Sequence, residues 1–105
     1  MLVLNVSVAP PDVAEDKLLS LACKLGKDYA SQQVLVVWIL DNYAAAKRFN
    51  PQGEGNDTAT SLAFRGSYYF SREKNDQSLG WLPDPHEHSS KIEIKLGPPP
   101  PNSSM

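Results

Sequence analysis

Val34-Leu35-Val36-Val37-Trp38-Ile39-Leu40 is an unbroken run of seven apolar residues, closed by the polar pair Asp41-Asn42. It is β-branched and aromatic in character and far too short to span a bilayer. Successive side chains of a strand point to opposite faces, so a continuous apolar run predicts a strand sheltered on both sides. We read 34–40 as the central strand of a sheet. The other elements are arranged around it.

Upstream, Leu2, Leu4, Val6 and Val8 alternate with Val3, Asn5 and Ser7, the pattern of a strand with one apolar face. Ala9-Pro10-Pro11 ends that strand. Asp12-Val13-Ala14-Glu15 has the spacing of a capping box, which predicts a helix from Asp12. Leu18, Leu21, Ala22, Leu25 and Tyr29 recur at steps of three and four, a single stripe for packing on a sheet. Gly26 costs this helix on the order of 1 kcal/mol relative to alanine, and either allows close helix–sheet contact or marks early fraying. Strand, helix, strand in this order predicts a parallel βαβ crossover.

Asp41 or Asn42 can cap a second, short helix over 43–49, with Tyr43, Ala46 and Phe49 inward. Residues 52–60 read as a polar loop. Leu62, Phe64, Tyr68 and Phe70 are expected on the inner face of a strand, with Arg65, Ser67 and Tyr69 outward and Gly66 marking a bulge. Residues 78–82 form a return strand. Lys91-Ile92-Glu93-Ile94-Lys95-Leu96 is a strand with charges on its wet face, a pattern that discourages edge pairing. Gly97 and four prolines then open a tail expected to be extended and mobile. The expected architecture is a two-layer α+β sandwich. A mixed four- or five-stranded sheet carries one main and one short helix, in a single domain over 1–97 with a disordered proline-rich tail over 98–105.

The chain has 105 residues, which suffice for one core that buries roughly 60–65% of the unfolded surface. Its formal charge of −2 lacks the basic excess of a nucleic-acid module. The lone Cys23 excludes an intramolecular disulfide, and no apolar stretch reaches transmembrane length. Met1 to Ala9 reads as a strand and not as a signal peptide, since no cationic segment precedes it. Cytoplasmic is the default expectation, and export with a lost leader stays open.

Candidate chemistry is sparse. In Asp84-Pro85-His86-Glu87-His88, an extended backbone would put Asp84, His86 and His88 on one side, as potential ligands for a divalent ion. A closed site would need further ligands from elsewhere, and a solvated loop explains the segment more simply. Arg65-Gly66-Ser67-Tyr68-Tyr69-Phe70 bears a loose likeness to the basic-Gly-aromatic strand of RNA-recognition modules, where exposed rings stack on bases. Here Ser67 occupies the outward position between Arg65 and Tyr69, and no second aromatic strand exists. Ordinary packing explains it better.

Asp41 lies at the carboxyl end of the long strand, where open α/β sheets place ligand sites. Arg48, Arg65 and the 50–60 loop are candidates to approach it, although capping the next helix already accounts for its position. Cys23 lies mid-helix with nothing to lower its pKa. Gly53-Glu54-Gly55 lacks the context of a phosphate loop, and Pro98–Pro101 carries only a minimal P-x-x-P spacing. Trp81 is either an interface anchor or a cover for the sheet end. No cofactor is expected.

These residues favour a non-enzymatic interaction module acting through its sheet surface, the Trp81 region or the 50–60 loop, binding a protein partner or forming a homodimer through its sheet, with Trp81, Arg65, Tyr69 and Asp41 as candidate contacts. The competing expectation is a small hydrolase or ligand-binding enzyme using Asp41, Arg65 and His86/His88. Neither a membrane nor a nucleic acid is an expected partner.

Overall fold

The computed structural model describes residues 1–101, the side chain of the metal candidate His88 excepted. Eight regular elements follow one another: β1 (Leu2–Ser7), α1 (Glu15–Asp28), β2 (Val34–Leu40), α2 (Tyr43–Arg48), α3 (Thr58–Ala63), β3 (Phe64–Ser71), β4 (Asp76–Trp81) and β5 (Ile92–Lys95). Short 3₁₀ turns occupy Pro10–Asp12 and His88–Ser90. The strands form one five-stranded sheet in the order β1-β2-β3-β4-β5. β1 and β2 run parallel, and the remaining pairs are antiparallel. The fold is α+β, with α1 as the main helix and the mixed sheet against it.

The inner face of the sheet carries the larger core. Leu18, Ala22 and Leu25 of α1 pack with Leu35, Val37, Ile39, Tyr68, Phe70, Leu79 and Trp81. Removing each large apolar side chain from water contributes about 1.5–3 kcal/mol, so this face supplies most of the stabilisation. Gly26 lets α1 approach closely: a Cβ there would lie 2.7 Å from Tyr68 Oη and 2.9 Å from Pro100 Cγ. Pro100 therefore lies against the body of the fold, and Gln77 Nε2 donates to Pro98 O at 3.0 Å. The remainder of the tail, 102–105, lies outside the described residues.

Several expectations need correcting. The apolar run is an interior strand, yet it stands second in the order, and β3 occupies the centre. Only one of its faces is fully sheltered. Leu35, Val37 and Ile39 are wholly buried, whereas Val34, Val36 and Trp38 are half-buried. The capping box does not form. Pro10 and Pro11 hold the chain in a 3₁₀ turn closed by Asp12 N–H to Ala9 O, so α1 starts at Glu15 after Ala14, without a side-chain cap.

The predicted 52–60 loop ends in an unforeseen helix, α3, where Asp57 accepts from the Thr60 amide at 2.7 Å. Leu62 belongs to that helix and not to the strand. A register shift separates Ile39↔Gly66 from Leu40↔Phe64, leaving Arg65 as the extra residue of a bulge. The bulge turns Phe64 away from Tyr68 and Phe70. Phe64 instead stacks on Phe49, with centroids 5.5 Å apart. Gly66 is required beside the bulge, since a Cβ would lie 2.4 Å from Gly80 O. Tyr43 was expected inward and is 70% exposed.

Candidate functional site

Asp41 and Arg65 do meet. The guanidinium Nη1 lies 3.0 Å from Asp41 Oδ2, with the Arg65 side chain only 13% and the Asp41 side chain only 20% exposed. The same guanidinium donates through Nε to Leu82 O at 3.1 Å and through Nη2 to Pro83 O at 2.8 Å. Asp41 N–H bonds to Ala63 O, and Leu82 N–H to Arg65 O. The pair thus ties the end of β2 to the α3–β3 junction and to the exit of β4. Every bond named for Arg65 ends on a protein acceptor, the geometry of a clamp. Asn42, not Asp41, caps α2, accepting from Ala45 N–H at 2.9 Å.

The histidine segment forms a tight polar turn. Asp84 Oδ1 accepts from the His86 amide at 2.9 Å, so one carboxylate oxygen is used locally. Asp84 and His86 are exposed. Among the described residues, no three His, Cys, Asp or Glu side chains converge as a metal site. Trp81 is 8% exposed and belongs to the inner core. Cys23 is exposed on α1.

The other side of the sheet is different. Register places Val3, Val36, Tyr69, Ser78 and Lys95 in one transverse row. Strand alternation puts this row on the outer face, opposite α1. The adjacent row is Asn5, Trp38, Ser67, Gly80 and Glu93. α2 and α3 cover only part of this second row. Asn5 Nδ2 donates to Ala46 O and Phe49 O, both at 3.1 Å. Trp38 packs near Phe49 and Phe64 at centroid separations of 6.2 and 5.9 Å.

The short helices do not extend over the first row. Val3 is 46% exposed, and Val34, Val36 and Tyr69 are half-buried. The result is an uncovered apolar patch on the β1–β2–β3 side that grades into Ser78, Lys95 and Glu93. The Glu93–Lys95 pair, 2.9 Å apart, is exposed and marks the polar rim.

Alternation in the sequence puts Tyr69 outward and Val3 on the face of Asn5 and Ser7, whereas the partial exposure of Val36 is hidden inside the continuous apolar run. Its signal is indirect: one long and one short predicted helix are too little cover for two faces of such a sheet. One cavity on the inner side, about 320 Å³, lies between α1 and the β4–β5 edge, lined by Leu19, Cys23, Lys27, Gln77, Leu96 and Pro100. A smaller one of about 250 Å³ involves Trp38, Phe64, Ser67, Gly80 and Lys91 and lies near the outer patch. It falls below the usual size of a small-molecule site. Neither cavity is lined by Asp41, Arg65 or His86. No family model, curated protein or solved structure matches this chain.

Proposed function

We propose that the chain is a non-enzymatic interaction module acting through the outer face of its sheet, with a protein as partner and a second copy of the chain as the first occupant to test. The observation that carries this reading is the row Val3–Val36–Tyr69, apolar, exposed to half-buried and left bare by α2 and α3. An apolar centre with a polar margin is the usual anatomy of a protein-binding surface. The rival enzymatic reading needs Arg65 and Asp41 available to a substrate, and their hydrogen bonds to one another and to the backbone count against it.

Light scattering across a concentration series tests the proposal, comparing the parent chain with Tyr69→Lys. A charge in the patch leaves the inner core untouched, so the variant should keep its thermal stability and lose self-association. A parent chain that is monomeric throughout removes the second copy as occupant. A dimer indifferent to Tyr69→Lys removes the outer face as its seat.

A further inference from the structure

We infer that the free edge of β1 is a pairing site for the β1 of a second copy, joining two sheets into one across a two-fold axis at Asn5. The inference rests on the sheet being the interaction surface, and not on which part of it is used.

The two ends of the sheet are unlike. β5 is four residues long and bears Glu93 and Lys95 within it and Lys91 just before it. Paired with itself antiparallel about Glu93, it would set Lys91 against Lys95 and Glu93 against Glu93. Like charges directly opposite destabilise such a pair. β1 has six residues, Leu-Val-Leu-Asn-Val-Ser, with neither charge nor proline. Charge, proline and shortness are the common protections of an edge strand, and β1 has none of them.

The backbone direction follows from one bond. Val8 N–H donates to Leu40 O at 2.8 Å, so residue 8 points its polar groups toward β2. Backbone groups alternate sides along a strand, which sends those of Val6, Leu4 and Leu2 the same way. The N–H and C=O groups of Val3, Asn5 and Ser7 therefore point out along the free edge. Among the described residues, no turn, loop or side-chain hydrogen bond reaches them. Antiparallel pairing about Asn5 sets Val3 opposite Ser7 of the second copy, Asn5 opposite Asn5, and Ser7 opposite Val3. Each is a hydrogen-bonded pair in which both backbone bonds are exchanged.

Leu4 then faces Val6 of the second copy at the closer, non-hydrogen-bonded spacing, on the α1 side of the sheet. Both are only half-buried in the single chain. The pairing buries them, and it leaves the Asn5 side chain bonded to α2 on the opposite face. The match comes from self-complementarity: the strand supplies donors, acceptors and apolar side chains in an order that its own two-fold copy repeats.

The test combines light scattering with amide hydrogen exchange by NMR, on the parent chain and two variants. Ser7→Pro removes an N–H that β2 does not use, a replacement edge strands tolerate. Ser7→Lys puts a charge into the edge outside the Val3–Val36–Tyr69 row, a common protection of edge strands, and decides the matter if Ser7→Pro fails to fold. The parent should reach dimer mass on concentration, with the Val3, Asn5 and Ser7 amides exchanging about tenfold or more slowly than in dilute solution. Folded variants should stay at monomer mass under the same conditions. A parent that remains monomeric, a dimer that survives in the folded variants, or a dimer with those three amides unprotected overturns the edge pairing. A dimer lost in Tyr69→Lys but intact in the edge variants overturns it while leaving the outer-face reading standing.

Discussion

Arg65 joins three parts of the chain through one planar group, with Asp41, Leu82 and Pro83 as its acceptors. Arg65→Met keeps much of the side-chain volume and removes every one of those bonds, leaving a mostly buried carboxylate unpaired. The expected loss is about 3 kcal/mol in urea unfolding; no measurable loss would mean that the clamp is not what holds the β2–β3 junction. Tyr68 makes a second residue-scale prediction. Its ring is buried, and its hydroxyl bonds to Gln77 Oε1. Burial pushes the phenol up to about 12, with the Cys23 thiol adding to the rise and Arg72 opposing it. The unfolded chain ionises this group near 10, so between about 10 and 12 the folded state holds the proton more tightly. Stability from this source is whole below the lower value and falls as pH rises through the window, by at most about 1.4 kcal/mol per pH unit. Unfolding midpoints of the parent and Tyr68→Phe should diverge in slope there, and parallel curves would refute the assignment. The outward position of Tyr69 was legible at this scale from alternation alone. The role of Arg65 was not, because its partners come from loops whose paths no local pattern specifies.

Elements with a strong period were readable from the residues. The α1 stripe, the alternation of β1 and β5 and the run of β2 each turn an apolar face inward at a spacing that matches the element, and each formed where expected within a few residues. The misses have local causes. Two prolines replaced a capping box by a 3₁₀ turn, and a bulge at Arg65 moved Phe64 to the other face. α3 is six residues long, with an apolar stripe too short to register. Its start is nevertheless chemically marked. Thr60 bonds hold the Asp57 carboxyl below its ordinary range, aided by Arg48, so this cap is complete near neutrality and weakens as pH falls through the depressed value. For α2 the cap is Asn42, and its replacement by alanine should cost about 1 kcal/mol. Because α2 hangs from Asn5 by two hydrogen bonds, Asn5→Ala should loosen the same helix. Faster hydrogen exchange confined to α2 and α3 would report this in either variant; unchanged protection there would show that aromatic packing of Trp38, Phe49 and Phe64 holds the helices unaided.

For the whole molecule, asymmetry is the organising fact. One face of the sheet is closed by α1, while the other has two short helices over one end and a bare stripe beside them. The long apolar run foretold a strand in need of cover on both sides, and the amount of cover was settled only by where α2 and α3 end. That remaining surface, not a constellation of reactive groups, is the basis for reading the protein as a binding module. The most direct measurement is a ¹⁵N–¹H NMR dilution series of the intact chain. Concentration-dependent shifts should gather on Val3, Val36 and Tyr69 and along β1, leaving the Asp41–Arg65 junction and the turn around His86 unmoved. Spectra that stay constant at every concentration, or that change chiefly around Asp41, Arg65 and His86, would contradict self-association through the sheet.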